Sequence, residues 1–145
     1  MTHHVILGAG PAGVIAAETI CKHAPRDTIT VIGDENEAPY SRMAIPYLLI
    51  GKVGEEGTHL RHTAGHFEGL GITVLRGVRA KVLDASKRTI QLSDGKTISF
   101  DTLLIATGSS PATPPIPGIN SPGVHSCWTL ADARAIANLA RPGAK

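Results

Sequence analysis

Gly8, Gly10 and Gly13 carry the first chemistry that can be read in this chain. They stand at the G-x-G-x-x-G spacing, directly behind an apolar run, Val5-Ile6-Leu7, and ahead of a segment, Ala12 to His23, that can be written as a helix. In that setting each glycine has its own task. Gly8 permits a sharp turn, Gly10 has no Cβ to hold a pyrophosphate off the backbone, and Gly13 lets the helix lie close to the strand. Free N–H groups and the positive end of the helix dipole both favour an anion at such a helix start. The pattern points to a dinucleotide site. Its alternative is a glycine turn of purely structural use, and the strand before and helix after it weigh against that.

A carboxylate belongs with such a turn. Thr28 to Ile32 reads as a second, β-branched strand, closing a βαβ unit at Gly33-Asp34-Glu35. An acidic residue about 20 positions beyond the glycines, at the tip of this strand, is where adenosine ribose hydroxyls are bound. Asp34 and Glu35 compete for the role. Glu35 is favoured, because Gly33 lets the chain run on by a residue before it turns away. No arginine directly follows Glu35, as a 2′-phosphate site would be expected to have.

The elements that must hold these residues follow from length and pattern. A chain of 145 residues, 42% of them hydrophobic, is one ordinary domain with enough length for a core. The net charge is +2 with basic residues scattered, which argues against a nucleic-acid surface. Cys21 and Cys127 lie far apart without a C-x-x-C pair or signal peptide, so a reducing, cytoplasmic compartment is expected. No apolar run approaches the roughly 20 residues that cross a bilayer, so no membrane association is expected.

Val14, Ile15, Ala17, Ile20 and Cys21 recur at helical spacing, with Cys21 expected in the core. A short amphipathic helix is expected around Phe67 and Leu70, where His59, His62 and His66 would face one another across its turns. No cysteine or clustered carboxylate completes a ligand set for them, and no metal site is expected. Ile72 to Leu75 reads as a third strand. Lys81 to Asp84, Thr89 to Leu92 and Thr97 to Phe100 form an antiparallel meander with a Ser93-Asp94-Gly95-Lys96 turn. Asp101 to Ala106 is expected as a buried parallel strand. Beyond Pro111 a Pro-rich connector leads to His125-Ser126-Cys127-Trp128, and Thr129 to Asp132 opens a helix reaching about Leu139.

The segment Ala38-Pro39-Tyr40-Ser41-Arg42-Met43-Ala44-Ile45-Pro46-Tyr47-Leu48-Leu49 resembles the loop and helix after the second strand in the FAD-binding domain of the pyridine nucleotide-disulfide oxidoreductase superfamily. The likeness is to the branch holding rubredoxin and ferredoxin reductases and the flavin part of NADH-dependent nitrite reductases. Gly8 to Gly13 is similar to its pyrophosphate loop, and Ala106-Thr107-Gly108-Ser109-Ser110-Pro111 to its A-T-G-x-x-P motif. The resemblance implies an α/β fold: a Rossmann-like parallel sheet with helices and an antiparallel β-meander on one face, the FAD/NAD(P)-binding fold in incomplete form. Residues 1–111 would be the first segment of the FAD-binding domain. Residues 112–145 would be a connector and helix leading toward an NAD(P)-binding domain, with the returning half of the FAD domain also missing.

The resemblance also implies roles. Gly8, Gly10, Pro11, Ala12 and Gly13 would line the FAD diphosphate, Asp34 or Glu35 the adenosine ribose, and the backbone near Arg79 and Ala80 the adenine. Ala106, Thr107 and Gly108 would meet the cofactor, with Arg42 beside the flavin or its phosphates. Met43 stands where the disulfide-reducing branch has its redox cysteine, and Tyr47 where many ferredoxin reductases have lysine. The implied activity is that of an NAD(P)H-dependent flavoprotein reductase passing electrons to a protein or metal-centre acceptor. A partner chain that completes the fold belongs to the same expectation. The competing reading is a non-catalytic nucleotide-binding or assembly subunit. A third, an NAD-binding dehydrogenase domain, is disfavoured by the Ala106 to Pro111 motif and the meander.

Overall fold

The computed structural model describes residues 1–140; residues 141–145, with which the expected terminal segment ends, lie outside the described residues. In chain order the elements are β1 (His3–Leu7), α1 (Pro11–His23), β2 (Thr28–Ile32), α2 (Ile45–Leu49), α3 (His66–Gly69), β3 (Ile72–Leu75), β4 (Ala80–Asp84), β5 (Thr89–Leu92), β6 (Thr97–Ser99), β7 (Thr102–Ile105) and α4 (Leu130–Leu139). Two compact units divide them. One comprises residues 1–40 and 60–108, the other residues 41–59 and the chain from 109 onward.

The first unit is built on a parallel sheet of order β3-β2-β1-β7. Leu7 pairs in register with Ile32 and with Ile105, and Ile32 with Leu75, so all four strands end level at one edge of the sheet. Side chains alternate between its faces. Val5, Leu7 and Ile32 point to one face and bury Ile90 and Leu92 of the second sheet, β4-β5-β6, with Ile98, Phe100 and Leu103 around them. Ile6, Ile29, Val31 and Ile72 point to the other face and meet Ala17 of α1, with Ile20, Phe67 and Val74 alongside. Both faces of the sheet are thus apolar, as parallel strands require, and the expected meander covers one of them.

Three expectations are corrected. Among the described residues β7 pairs only with β1 and so lies at the edge of the sheet, and Leu104 and Ile105 are 41% and 61% exposed rather than buried. Ile15 lies on the outer side of α1, and Cys21 is only half-buried, its Sγ donating to the Leu70 carbonyl at 3.3 Å. The expected helix around Phe67 is a single turn, α3. His59 and His62 fall outside it, so the three histidines do not stack on one helical face.

Instead His66 joins an ion cluster within the first unit. Arg61 grips Glu18 of α1 with both Nε (2.7 Å) and Nη2 (2.5 Å), while His66 Nε2 lies 2.8 Å from Glu18 Oε1. Nearby, Leu60 N–H donates to the Pro39 carbonyl at 2.9 Å, closing the neck from which residues 41–59 depart.

In the second unit, Ile45, Thr58, Leu130 and Ala133 are buried. Its α4 has a reciprocal N-terminal cap: Asp132 N–H donates to Thr129 Oγ1 at 3.1 Å, and Asp132 Oδ2 accepts from Thr129 N–H at 2.9 Å. Arg134 is paired with Glu55, whose carboxyl is held below its ordinary range by that guanidinium.

Two outcomes are expected from this architecture. Arg88, in the turn between β4 and β5, has φ +51°, a left-handed conformation unfavourable for a side chain with Cβ. Arg88→Gly should stabilise the protein by about 0.5–1 kcal/mol, read from the denaturant midpoint. The Arg61 hydrogen bond, with a further contribution from His66, holds the Glu18 pKa below its ordinary value against the opposing effect of burial. A depressed folded-state pKa stabilises fully above the unfolded value and ceases to do so as pH falls through the folded value. Between neutrality and about pH 3 the wild type should therefore lose roughly 1 kcal/mol that Glu18→Gln does not lose, seen in paired denaturation series.

Candidate functional site

The level C-terminal edge of the parallel sheet is where β1 hands over to α1. Gly8 leaves the strand at φ +115°, and its N–H donates to the Ile32 carbonyl at 2.8 Å, tying the turn to the end of β2. A Cβ built on Gly8 would lie 2.2 Å from the Ala106 carbonyl oxygen, and one built on Gly13 would lie 1.9 Å from the carbonyl oxygen of Gly8. Backbone fills both spaces, so no side chain fits. Gly10 differs: a Cβ there would meet nothing within 4 Å.

Gly10 is also the N-cap of α1, with extended backbone and no capping side-chain hydrogen bond; Pro11 occupies the first turn, which holds no acidic residue. The first N–H groups of any helix have no acceptor inside it. Here they belong to the exposed Ala12 and the buried Gly13, since Pro11 has none. A 13-residue helix begun without an acid or a cap favours an anion at that point.

The tip of β2 lies against this turn. A Cβ on Gly33 would come within 3.0 Å of Ala9 Cβ, and Gly33 is itself bonded on both sides, its N–H to Leu75 O (2.8 Å) and its carbonyl to Val78 N–H (3.0 Å). Of the two candidate carboxylates, Asp34 is exposed and 3.9 Å from Arg79 Nη2, itself exposed. Glu35 is half-buried, its backbone carbonyl accepts from Gly77 N–H at 2.9 Å, and its Oε2 accepts from the Tyr40 hydroxyl at 2.6 Å. Tyr40 lies in the segment that carried the resemblance, yet sequence reasoning assigned it nothing. The only signal was an aromatic hydroxyl five residues beyond the acid.

Arg79 and Ala80 stand where the chain enters the second sheet. Arg79 N–H donates to Ser93 Oγ at 2.9 Å and the Arg79 carbonyl accepts from Ser93 N–H at 2.8 Å, while Ala80 pairs with Leu92. The Arg79 donor is therefore engaged, and what it retains is the second lone pair of its carbonyl. Ala106, whose N–H donates to Leu7 O at 2.7 Å, lies against the glycine turn; Thr107 and Gly108 follow it exposed, Gly108 at φ +70°. Arg42 belongs to the second unit, where its guanidinium carbon sits 5.1 Å from the centre of the Trp128 ring. Among the described residues no group of three or more His, Cys, Asp or Glu side chains converges to hold a metal, and no helix is long and apolar enough to cross a membrane.

Residues 2–144 match the family model described as pyridine nucleotide-disulphide oxidoreductase. The chain is 36% identical over 132 residues to the NADH-dependent phenylglyoxylate dehydrogenase subunit epsilon of Aromatoleum evansii and 32% identical over 132 residues to the rhodocoxin reductase of Rhodococcus erythropolis. In both cases the match covers 91% of this chain and 31% of the relative, so the chain spans about a third of the length of these proteins. Among solved structures, the covalent putidaredoxin reductase–putidaredoxin complex superposes with a TM-score of 0.85 at 28% identity, over 95% of this chain and 34% of the matched one. With the glycine turn, the acid-tipped second strand and the covering meander all in place, the chain belongs to the pyridine nucleotide-disulphide oxidoreductase family.

Proposed function

We propose that this chain is the FAD-binding portion of an NAD(P)H-dependent flavoprotein oxidoreductase, serving electron transfer to a protein or metal-centre acceptor in the cytoplasm. The observation that carries this reading is the uncapped start of α1 beside open space at Gly10, flanked by two glycines whose neighbours exclude any side chain. Family membership supports it, as do relatives named rhodocoxin reductase and ferredoxin–NAD(+) reductase subunit.

The residues fit the diphosphate half of a dinucleotide. Gly10, Pro11, Ala12 and Gly13 would hold the phosphates through backbone N–H groups and close approach, with Gly8 turning the chain beneath them. Asp34 or Glu35 would accept from the ribose hydroxyls. Acceptor capacity at Arg79, together with Ala80, would serve the adenine, and Ala106, Thr107 and Gly108 would contact the cofactor from the end of β7. Arg42 is proposed from its guanidinium alone, a permanent cation suited to an anionic phosphate or a reduced flavin. When bound, FAD supplies the hydride-accepting and electron-donating chemistry, while this chain contributes binding, orientation and electrostatics. No side chain is needed as a general acid or base.

The proposed whole comprises this portion, an NAD(P)H-binding portion and the segment returning to the FAD domain, in one polypeptide or in a partner chain. An absorbance titration tests the part in hand. Adding the purified 145-residue chain to FAD should shift and sharpen the flavin bands saturably, and NADH added anaerobically should leave them unbleached, because residues 1–145 carry one glycine fingerprint. Flavin bands that the chain leaves unchanged would overturn the reading.

Substitutions separate binding from folding. Gly10→Ala should keep stability within about 1 kcal/mol of wild type, since its Cβ meets nothing and Gly10 already has extended backbone. It should nonetheless weaken FAD binding about ten-fold or more, a loss of about 1.4 kcal/mol at the phosphates. Gly13→Ala should fail at the earlier stage, losing several kcal/mol or not folding, as circular dichroism and denaturation would report.

A further inference from the structure

We propose that Tyr40 is a positioning residue that makes Glu35, rather than Asp34, the carboxylate that reads the ribose; the assignment rests on the nucleotide-binding reading above. The Tyr40 side chain is 6% exposed, so its ring is held by packing and its hydroxyl has a fixed origin. That hydroxyl donates to Glu35 Oε2 at 2.6 Å. The Glu35 backbone is fixed as well, its carbonyl accepting from Gly77 N–H at 2.9 Å. Main chain and carboxylate of Glu35 are both located before any ligand arrives.

Asp34 offers the opposite case. Its side chain is 52% exposed, and its partner Arg79, at 3.9 Å, is 70% exposed, so the pair is solvated and loosely defined. Recognition of a vicinal diol needs an acceptor with a set orientation. A carboxylate has about four lone-pair sites, and the bond from Tyr40 fixes the direction of one of its oxygens. Glu35 meets this requirement through Tyr40, and its rotamer freedom is spent in folding rather than in binding. Tyr40 thus acts on the nucleotide through Glu35 and need not touch it.

The test compares ADP with 2′-deoxy-ADP by calorimetric titration of the purified full chain, because their affinity ratio isolates a ribose hydroxyl. Wild type should prefer ADP about ten-fold, the weight of one hydrogen bond to a charged group. Tyr40→Phe keeps the ring, and its unfolding midpoint checks that the fold is retained; the preference should fall most of the way to unity. Glu35→Gln should lower it likewise, and Asp34→Asn should leave it as in wild type. A folded Tyr40→Phe that keeps the wild-type preference, or a collapse of the preference in Asp34→Asn, would overturn the assignment. Wild type that binds neither nucleotide would overturn the nucleotide reading itself, and this assignment with it.

Discussion

The contact between Gly13 and the carbonyl of Gly8 sets the geometry on which the first unit depends. Its ideal Cβ would stand 1.9 Å from that oxygen, and both partners are main chain, so rotamer adjustment could not relieve the overlap. This close approach brings α1 down onto β1 and lets Ala17 reach the face formed by Ile6, Ile29 and Val31. It also decides what the helix start looks like. A serine or aspartate N-cap is worth about 1 kcal/mol, yet Gly10 occupies that position without a capping side chain. The stability given up there is small beside the cost of displacing the backbone at Gly13, and N–H groups without an acceptor inside the helix are what an anion requires.

Stability and geometry come from different interactions in this unit. The two apolar clusters on either side of the sheet contain side chains such as Ile6 and Ile90 that are fully buried, and removing one of these typically costs 2–5 kcal/mol. The Glu18-Arg61-His66 cluster is partly solvated, and pairs of that kind contribute about 1 kcal/mol or less. Its value lies in direction. A two-pronged Arg61 to Glu18 contact specifies where the chain rejoins α1 after residues 41–59, which apolar packing alone would specify less sharply.

Legibility in the sequence followed the range of the interactions involved. β2 and β3 have the boundaries that their β-branched runs indicate, and α4 begins at the Thr129 to Asp132 cap and ends at Leu139 as read. These are local signals. Ile15, Cys21 and Leu104 were misjudged because apolar character says which residues prefer burial, whereas sheet order and helix rotation decide which receive it. His59, His62 and His66 suggested a helical face, but only one turn forms after Gly65, and Glu18, 48 residues away in sequence, takes His66. The glycine turn was readable from its spacing between a strand and a helix; Gly13 answers a local contact with Gly8, whereas the Ala106 carbonyl that crowds Gly8 comes from far along the chain. The choice between Asp34 and Glu35 depends on the return of the chain at Tyr40, on Gly77 and on Arg79, and no spacing rule encodes those meetings.

The second unit is held by a different balance. Among the described residues its fully buried apolar side chains are Ile45, Leu130 and Ala133, and they are accompanied by polar and electrostatic contacts that include the Thr129 cap, Glu55 with Arg134, and Arg42 against Trp128. Polar contacts at partly exposed positions contribute less than core burial, so this unit draws less stability from its interior than the first. Met43, Tyr47 and Ile50 recur at helical spacing, and all three are more than half exposed. An unburied apolar stripe beside a small core leaves side chains whose packing the unit does not itself determine. The glycine turn is the opposite case, since an added methyl group at Gly8 or Gly13 would meet backbone that cannot give way.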